Sequence, residues 1–109
     1  MEDCIFCKIA AGEVPKRKIH HEDGEIVSFL DLDQRIPGHT LVIPTSHHRW
    51  FYDIPDELSN KLYRAARVVA QELKKEYGAD YVQLSIVGEG VAHVHVHLLP
   101  RKLSDSVSL

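Results

Sequence analysis

Long apolar runs are missing from this chain, and nothing in it approaches the length needed to span a membrane. The start, Met1-Glu2-Asp3, is acidic and does not read as a secretion signal. A basic excess is also missing. The net charge is −3, which argues against a protein that binds nucleic acid without regard to sequence. Cysteine is scarce, with only Cys4 and Cys7. Two thiols so close together in a chain without an export signal read as reduced thiols or metal ligands, not as a disulfide framework. Internal repeats and low-complexity segments are absent. What remains is a 109-residue chain of ordinary apolar content, expected to form one domain over 1–109 in the cytoplasm.

Histidine is what the chain has in excess, with eight residues, three of them in His93-Val94-His95-Val96-His97-Leu98-Leu99-Pro100. Alternate side chains of an extended strand share a face, so His93, His95 and His97 line up opposite Val94, Val96 and Leu98. Same-face neighbours sit about 6.6 Å apart, and the outer two about 13 Å. Two adjacent imidazoles can reach one metal ion, but three converging on it would strain the strand. The row is therefore expected to divide its roles. His95 has an imidazole on either side and is the best placed to act as a nucleophile, once one ring nitrogen is held and the other carries the lone pair. The competing readings are a polar exposed strand face and a simple His-x-His metal site.

The rest of the chain reads as α+β. Residues 4–11 make one or two helical turns ended by Gly12. Strands are expected over 18–22 and 25–30, joined at Asp23-Gly24, and over 39–43, closed by Pro44. Between them, 31–38 is a loop punctuated by Pro37-Gly38. Residues 55–77 are the only long helix: Leu58, Leu62, Ala65, Ala66, Val69 and Leu73 form one stripe. Asp56 and Glu57 suit its start, Lys74 and Lys75 its end, and Gly78 its stop. Strands over 81–87 and 92–99 pair as a hairpin across Gly88-Glu89-Gly90. The sum is an antiparallel sheet of about five strands with one long and one short helix, and a patternless tail from about 102 to 109.

Cys4 and Cys7 lie one helical turn apart, a spacing that zinc accepts. With no second Cys-x-x-Cys available, the other two ligands of a tetrahedral site must be histidines. A packed thiol pair without metal is the alternative. A redox role is less favoured, because no thioredoxin-like βαβ pattern follows.

These blocks together resemble the histidine triad (HIT) family, whose signature is His-x-His-x-His followed by two apolar residues. Cys4-Ile5-Phe6-Cys7-Lys8-Ile9 resembles the opening of many bacterial members. Gly38-His39-Thr40-Leu41-Val42-Ile43-Pro44, followed by His47, resembles the central block, and Leu99-Pro100-Arg101 the exit. The resemblance spans 4–101. It implies the same α+β architecture and an enzyme that cleaves a nucleotide at its α-phosphate. His95 would carry the nucleotidyl group, and His97 and His39 would flank the phosphate. Asp31 would sit on the ribose hydroxyls, with Asp33 and a plain turn role as rivals. Phe6 and Val14 would line the base slot, alongside Ile9 and Leu30, which read better as core. A structural zinc on Cys4, Cys7, His47 and His93 is implied, with His48 as a rival to His47, and no catalytic cofactor. The expected ligand is a purine nucleotide or AMP. A homodimer is expected, with neither nucleic acid nor membrane as partner.

The chain departs from the family just before the triad. Where many members carry a Gly-Gln-Ser/Thr-Val run, this chain has Gly88-Glu89-Gly90-Val91-Ala92, several residues short. Glu89 and Gly90 stand where side chains meet the phosphate or the leaving group, and Ser85 is the nearest polar substitute for an Asn on the preceding strand. A nucleotide-binding module with little activity is therefore a second reading. A metal-dependent His-x-His enzyme of the all-β kind is a third, disfavoured by the long helix. His20 and His21 are expected on the surface, and Trp50, Phe51 and Tyr52 in a loop or at a subunit contact.

Overall fold

A computed structural model describes residues 4–104. Met1–Asp3 and residues 105–109, which include most of the expected loose tail, lie outside the described residues. In order, the elements are α1 (Ile5–Ala10), β1 (Ile26–Leu30), β2 (Thr40–Pro44), a short 3-10 turn (Phe51–Asp53), α2 (Asp56–Glu76), β3 (Tyr81–Ser85) and β4 (Val96–Arg101). The strands form one antiparallel sheet in the order β1-β2-β4-β3.

Both faces of the sheet are covered. Ile26, Val42, Val94, Val96 and Leu98 pack with the α2 stripe of Leu62, Ala65, Ala66, Val69 and Leu73. Val27, Phe29, Leu41 and Ile43 point the other way and pack with Phe6 and Ile9 of α1. That two-sided burial explains why β1 and β2 read as nearly continuous apolar runs. At six residues α1 is too short to be stable alone. Phe6 and Ile9 anchor it, and Cys4 caps it by accepting the Cys7 N–H at 3.4 Å.

Four strands form where about five were expected. Residues 18–22 contribute only an isolated bridge, Glu22 to Val27. Lys18 has φ +54, which breaks an extended run. The Ser28 hydroxyl accepts the N–H groups of His20 and His21, so a side chain takes the place of a ladder partner. His20 is also less exposed than expected. Its ring lies 2.8 Å from Glu76, at the end of α2.

The strand of the histidine row starts at Val96, not at 92. Ahead of it, Val94 donates to the His48 carbonyl in the loop after β2 at 2.6 Å and His93 to the nearby Val91 carbonyl at 2.9 Å, in place of ladder bonds. The connection from β3 is thus an irregular 86–95 segment, longer than the three-residue turn expected. Alternation of faces survives, because Val94 and Val96 join the α2 side while His93 and His95 touch Phe6. β4 continues through Arg101, and Leu103 N–H is held by Asp80 at 2.9 Å, so the ordered chain runs past the expected start of the tail. Among the described residues no helix is long and apolar enough to cross a membrane.

Candidate functional site

α1, the loop after β2 and the approach to β4 converge on one group of thiols and imidazoles. Cys7 Sγ lies 3.2 Å from His47 Nδ1 and 3.4 Å from His93 Nδ1, and Cys4 Sγ lies 3.4 Å from the same His93 nitrogen. His47, not its neighbour His48, faces the thiols; the His48 carbonyl is tied to Val94 instead. A tetrahedral zinc with two sulfur and two nitrogen ligands has S···N edges of about 3.5 Å. The observed contacts are close to that size. The fit extends outward, because His93 Nε2 donates to the Pro44 carbonyl at 2.8 Å and so leaves Nδ1 as the lone-pair nitrogen toward the thiols. Burial pushes the Cys7 thiol above its ordinary range, helped by its neighbour Cys4. Burial also holds the fully buried His93 ring below its ordinary range. Both would be neutral without a metal, and a bound zinc would convert the thiols to thiolates.

The second group lies beyond His93 on the same face. His95 donates Nδ1–H to the His93 carbonyl at 2.7 Å. A carbonyl can only accept, so the proton is on Nδ1 and Nε2 carries the lone pair. Phe6 presses edge-on at 5.0 Å between ring centres, and the His97 ring stands 4.7 Å away. His97 is paired across the ladder with Leu41 of β2 and Ser85 of β3, which fixes its direction. Its Nδ1 lies 2.9 Å from Nε2 of His39, the residue just before β2. Burial, then the neighbouring imidazoles His95 and His39, push His97 down to about 4. It is a neutral ring at pH 7.

Asp31 sits with its Oδ2 3.1 Å from His39 Nδ1. Gln34 holds this arrangement. Its side-chain amide donates to the carbonyls of Asp31 and His39, at 2.7 and 3.0 Å, and its oxygen accepts Gly38 N–H at 2.9 Å. Reading the sequence missed Gln34, since an amide in a loop carries no pattern. It also missed the Asp31–His39 contact, which exists only once that loop is folded. Asp33 turns away and pairs with Arg35.

The other candidates are more scattered. Phe6 is a core residue whose edge meets His95, and Val14 packs, half-buried, against the cluster that Phe6 belongs to. Ile9 is buried core. Glu89 and Gly90 are exposed, and among the described residues no hydrogen bond, ion pair or ring contact joins them to the histidines. Gly88 is instead wedged under Trp50, where an added Cβ would lie 2.6 Å from the indole. Trp50 in turn stacks on Tyr52 and carries Arg49 over its ring.

Known proteins are similar to this chain in sequence and fold. A family model for the HIT domain matches residues 11–103. Protein hit of Bacillus subtilis is 37% identical over 107 residues, covering 92% of this chain and 72% of that protein. Adenosine 5'-monophosphoramidase HNT1 of Saccharomyces cerevisiae is 36% identical over 100 residues, covering 91% of this chain and 63% of that protein. The crystal structure of a Zn-bound histidine triad family protein from Mycobacterium smegmatis superposes with a TM-score of 0.88 at 29% identity, over 99% of this chain and 81% of that one. Shared fold, shared sequence and a matching domain over most of its length make this chain a member of the HIT family.

Proposed function

We propose that the chain is a nucleotide hydrolase or nucleotidyl transferase that cleaves at the α-phosphate of a nucleoside phosphoramidate or dinucleoside polyphosphate. One observation carries the reading: His95 is held by its Nδ1–H on the His93 carbonyl, which leaves Nε2 as a fixed nucleophile. Nε2 attacks phosphorus, a P–N bond forms, and the bond to the leaving group breaks. Water then cleaves the P–N bond, returning the imidazole and releasing a nucleoside monophosphate. The yeast relative is an adenosine 5'-monophosphoramidase, which is chemistry of this kind. His97 and His39, joined at 2.9 Å, flank the phosphate as its charge develops. Asp31 would take the ribose hydroxyls with carboxylate lone pairs not directed at His39. Phe6 and Val14 would meet a purine base, and Glu89 and Gly90 the leaving-group end.

Zinc on Cys4, Cys7, His47 and His93 would be structural, since four protein ligands leave no open position. It would tie α1 and the loop after β2 to the approach of the histidine row. Such a site needs reduced thiols, which suits the cytoplasm. A homodimer is supported by β3, an edge strand next to exposed Phe51, Tyr63, Leu84 and Ile86.

The test is His95→Asn. AMP release from adenosine phosphoramidate is expected to fall by at least about a thousandfold, the scale of a lost nucleophile, while AMP still binds. Turnover at the wild-type rate would overturn the reading. A binding module with little activity is the second reading, favoured by the lack of contact between Glu89 or Gly90 and the histidines. It expects AMP binding by the wild type without turnover on any nucleotide ester or amide.

A further inference from the structure

We infer a second cation site, separate from the thiol group, in which His39 Nε2 and His97 Nδ1 bind a divalent transition-metal ion and the Asp31 carboxylate orients His39 from behind. One donor atom from each of these three residues lies within 4.8 Å of the other two. The two ring nitrogens face each other at 2.9 Å with one proton between them. A tetrahedral ion with nitrogen ligands at 2.0–2.1 Å needs an N···N edge of about 3.3 Å. The rings therefore open by about 0.4 Å to replace that proton with an ion. The proton leaves His97 Nδ1 and is taken up through solvent at Nε2 of the same ring, so both imidazoles stay neutral.

Asp31 Oδ2 stands 3.1 Å from the other nitrogen of His39, the place of the outer carboxylate beside many metal-binding imidazoles. Each ring is set by ordered backbone. His97 lies within β4, and the chain at His39 is held by Gln34. Two imidazoles select zinc, copper, nickel or cobalt over magnesium or calcium. With only two protein nitrogens binding directly, open positions remain, so this ion is held more weakly than one on four ligands. The consequence for activity rests on the proposed function: an ion here occupies both imidazoles beside His95 and competes with the nucleotide phosphate.

The experiment starts from protein loaded with one equivalent of zinc and adds cobalt(II). Bound metal is measured by equilibrium dialysis and the cobalt environment by absorption. One further equivalent of cobalt is expected, without a thiolate charge-transfer band. His39→Ala is expected to abolish it. Asp31→Asn, which keeps both ligands, is expected to weaken it by about 10–100-fold. The site is overturned if no cobalt binds beyond the zinc equivalent, if the added cobalt carries the thiolate band, or if His39→Ala binds it as tightly as the wild type. The two readings fail separately. A second equivalent in a protein that turned over no nucleotide before cobalt was added upholds the cation site and overturns the enzyme, and a protein fully active before the addition that takes no second ion does the reverse.

Discussion

His97 spends its burial on staying neutral. It titrates near 6.5 when unfolded and near 4 in the fold, because burial and the adjacent imidazoles oppose its charge. Between those two values the unfolded chain holds the extra proton, so acid favours unfolding. The stability contribution is complete above pH 6.5, declines as pH falls and is gone below about 4. The lowered carboxyls of Asp23, Asp33 and Glu76 act in the same direction, but from ordinary values of 3.8 to 4.5 and so at lower pH. Melting temperature is therefore expected to drop steadily from pH 6.5 to 4.5, with a shallower drop in His97→Asn. Parallel profiles for the two proteins would refute this. At this scale the row 93–97 and the Cys-x-x-Cys were legible because spacing alone brings their members together. The Asp31–His39–His97 chain was not, because it crosses a loop and two strands.

Among the elements, α2 was the easiest to read. Its stripe, its acidic start and its basic end agree with one another, and only one residue at each end of the expected range falls outside the helix, Pro55 before the first turn and Tyr77 after the last. The 18–22 segment was misread because β-like residues say nothing about a Lys at positive φ or a Ser that takes the backbone donors. A tight junction is Gly38, where the loop enters β2. Its φ is +88, and an added Cβ would lie 2.9 Å from Pro100 and from the Tyr77 ring. Gly38→Ala is expected to cost about 1–3 kcal/mol from backbone strain alone, with the clash adding to it. At roughly 4–8 °C per kcal/mol, thermal denaturation reads this directly. Gly12→Ala is the control. It has a similar φ, +82, but nothing within 4 Å, so its loss should be smaller. Equal losses would show that the contact with Pro100 and Tyr77 carries no weight.

For the molecule as a whole, both faces of the sheet are covered yet β3 lies at an edge, and among the described residues no partner layer covers the neighbouring apolar side chains there. Leu84, on the α2 side of β3, is 43% exposed, and Phe51 is 51% exposed. A second copy laid against this edge would extend the sheet and cover them. Leu84→Glu is expected to convert a dimer to a monomer in light scattering at micromolar concentration. A wild type that is already monomeric there would contradict the dimer. Overall architecture was readable from periodicity and turn residues, whereas the sheet order β1-β2-β4-β3 was not, because pairing between strands far apart in the chain leaves no local mark.

In the proposed reaction His95 Nε2 bonds to phosphorus during turnover. Protein mixed briefly with adenosine phosphoramidate or a diadenosine polyphosphate, quenched and digested, tests it by mass spectrometry. A gain of one adenylyl group is expected on the peptide that contains residues 93–97, absent in His95→Asn. Turnover with no adduct on that peptide, or an adduct that persists in His95→Asn, would contradict it.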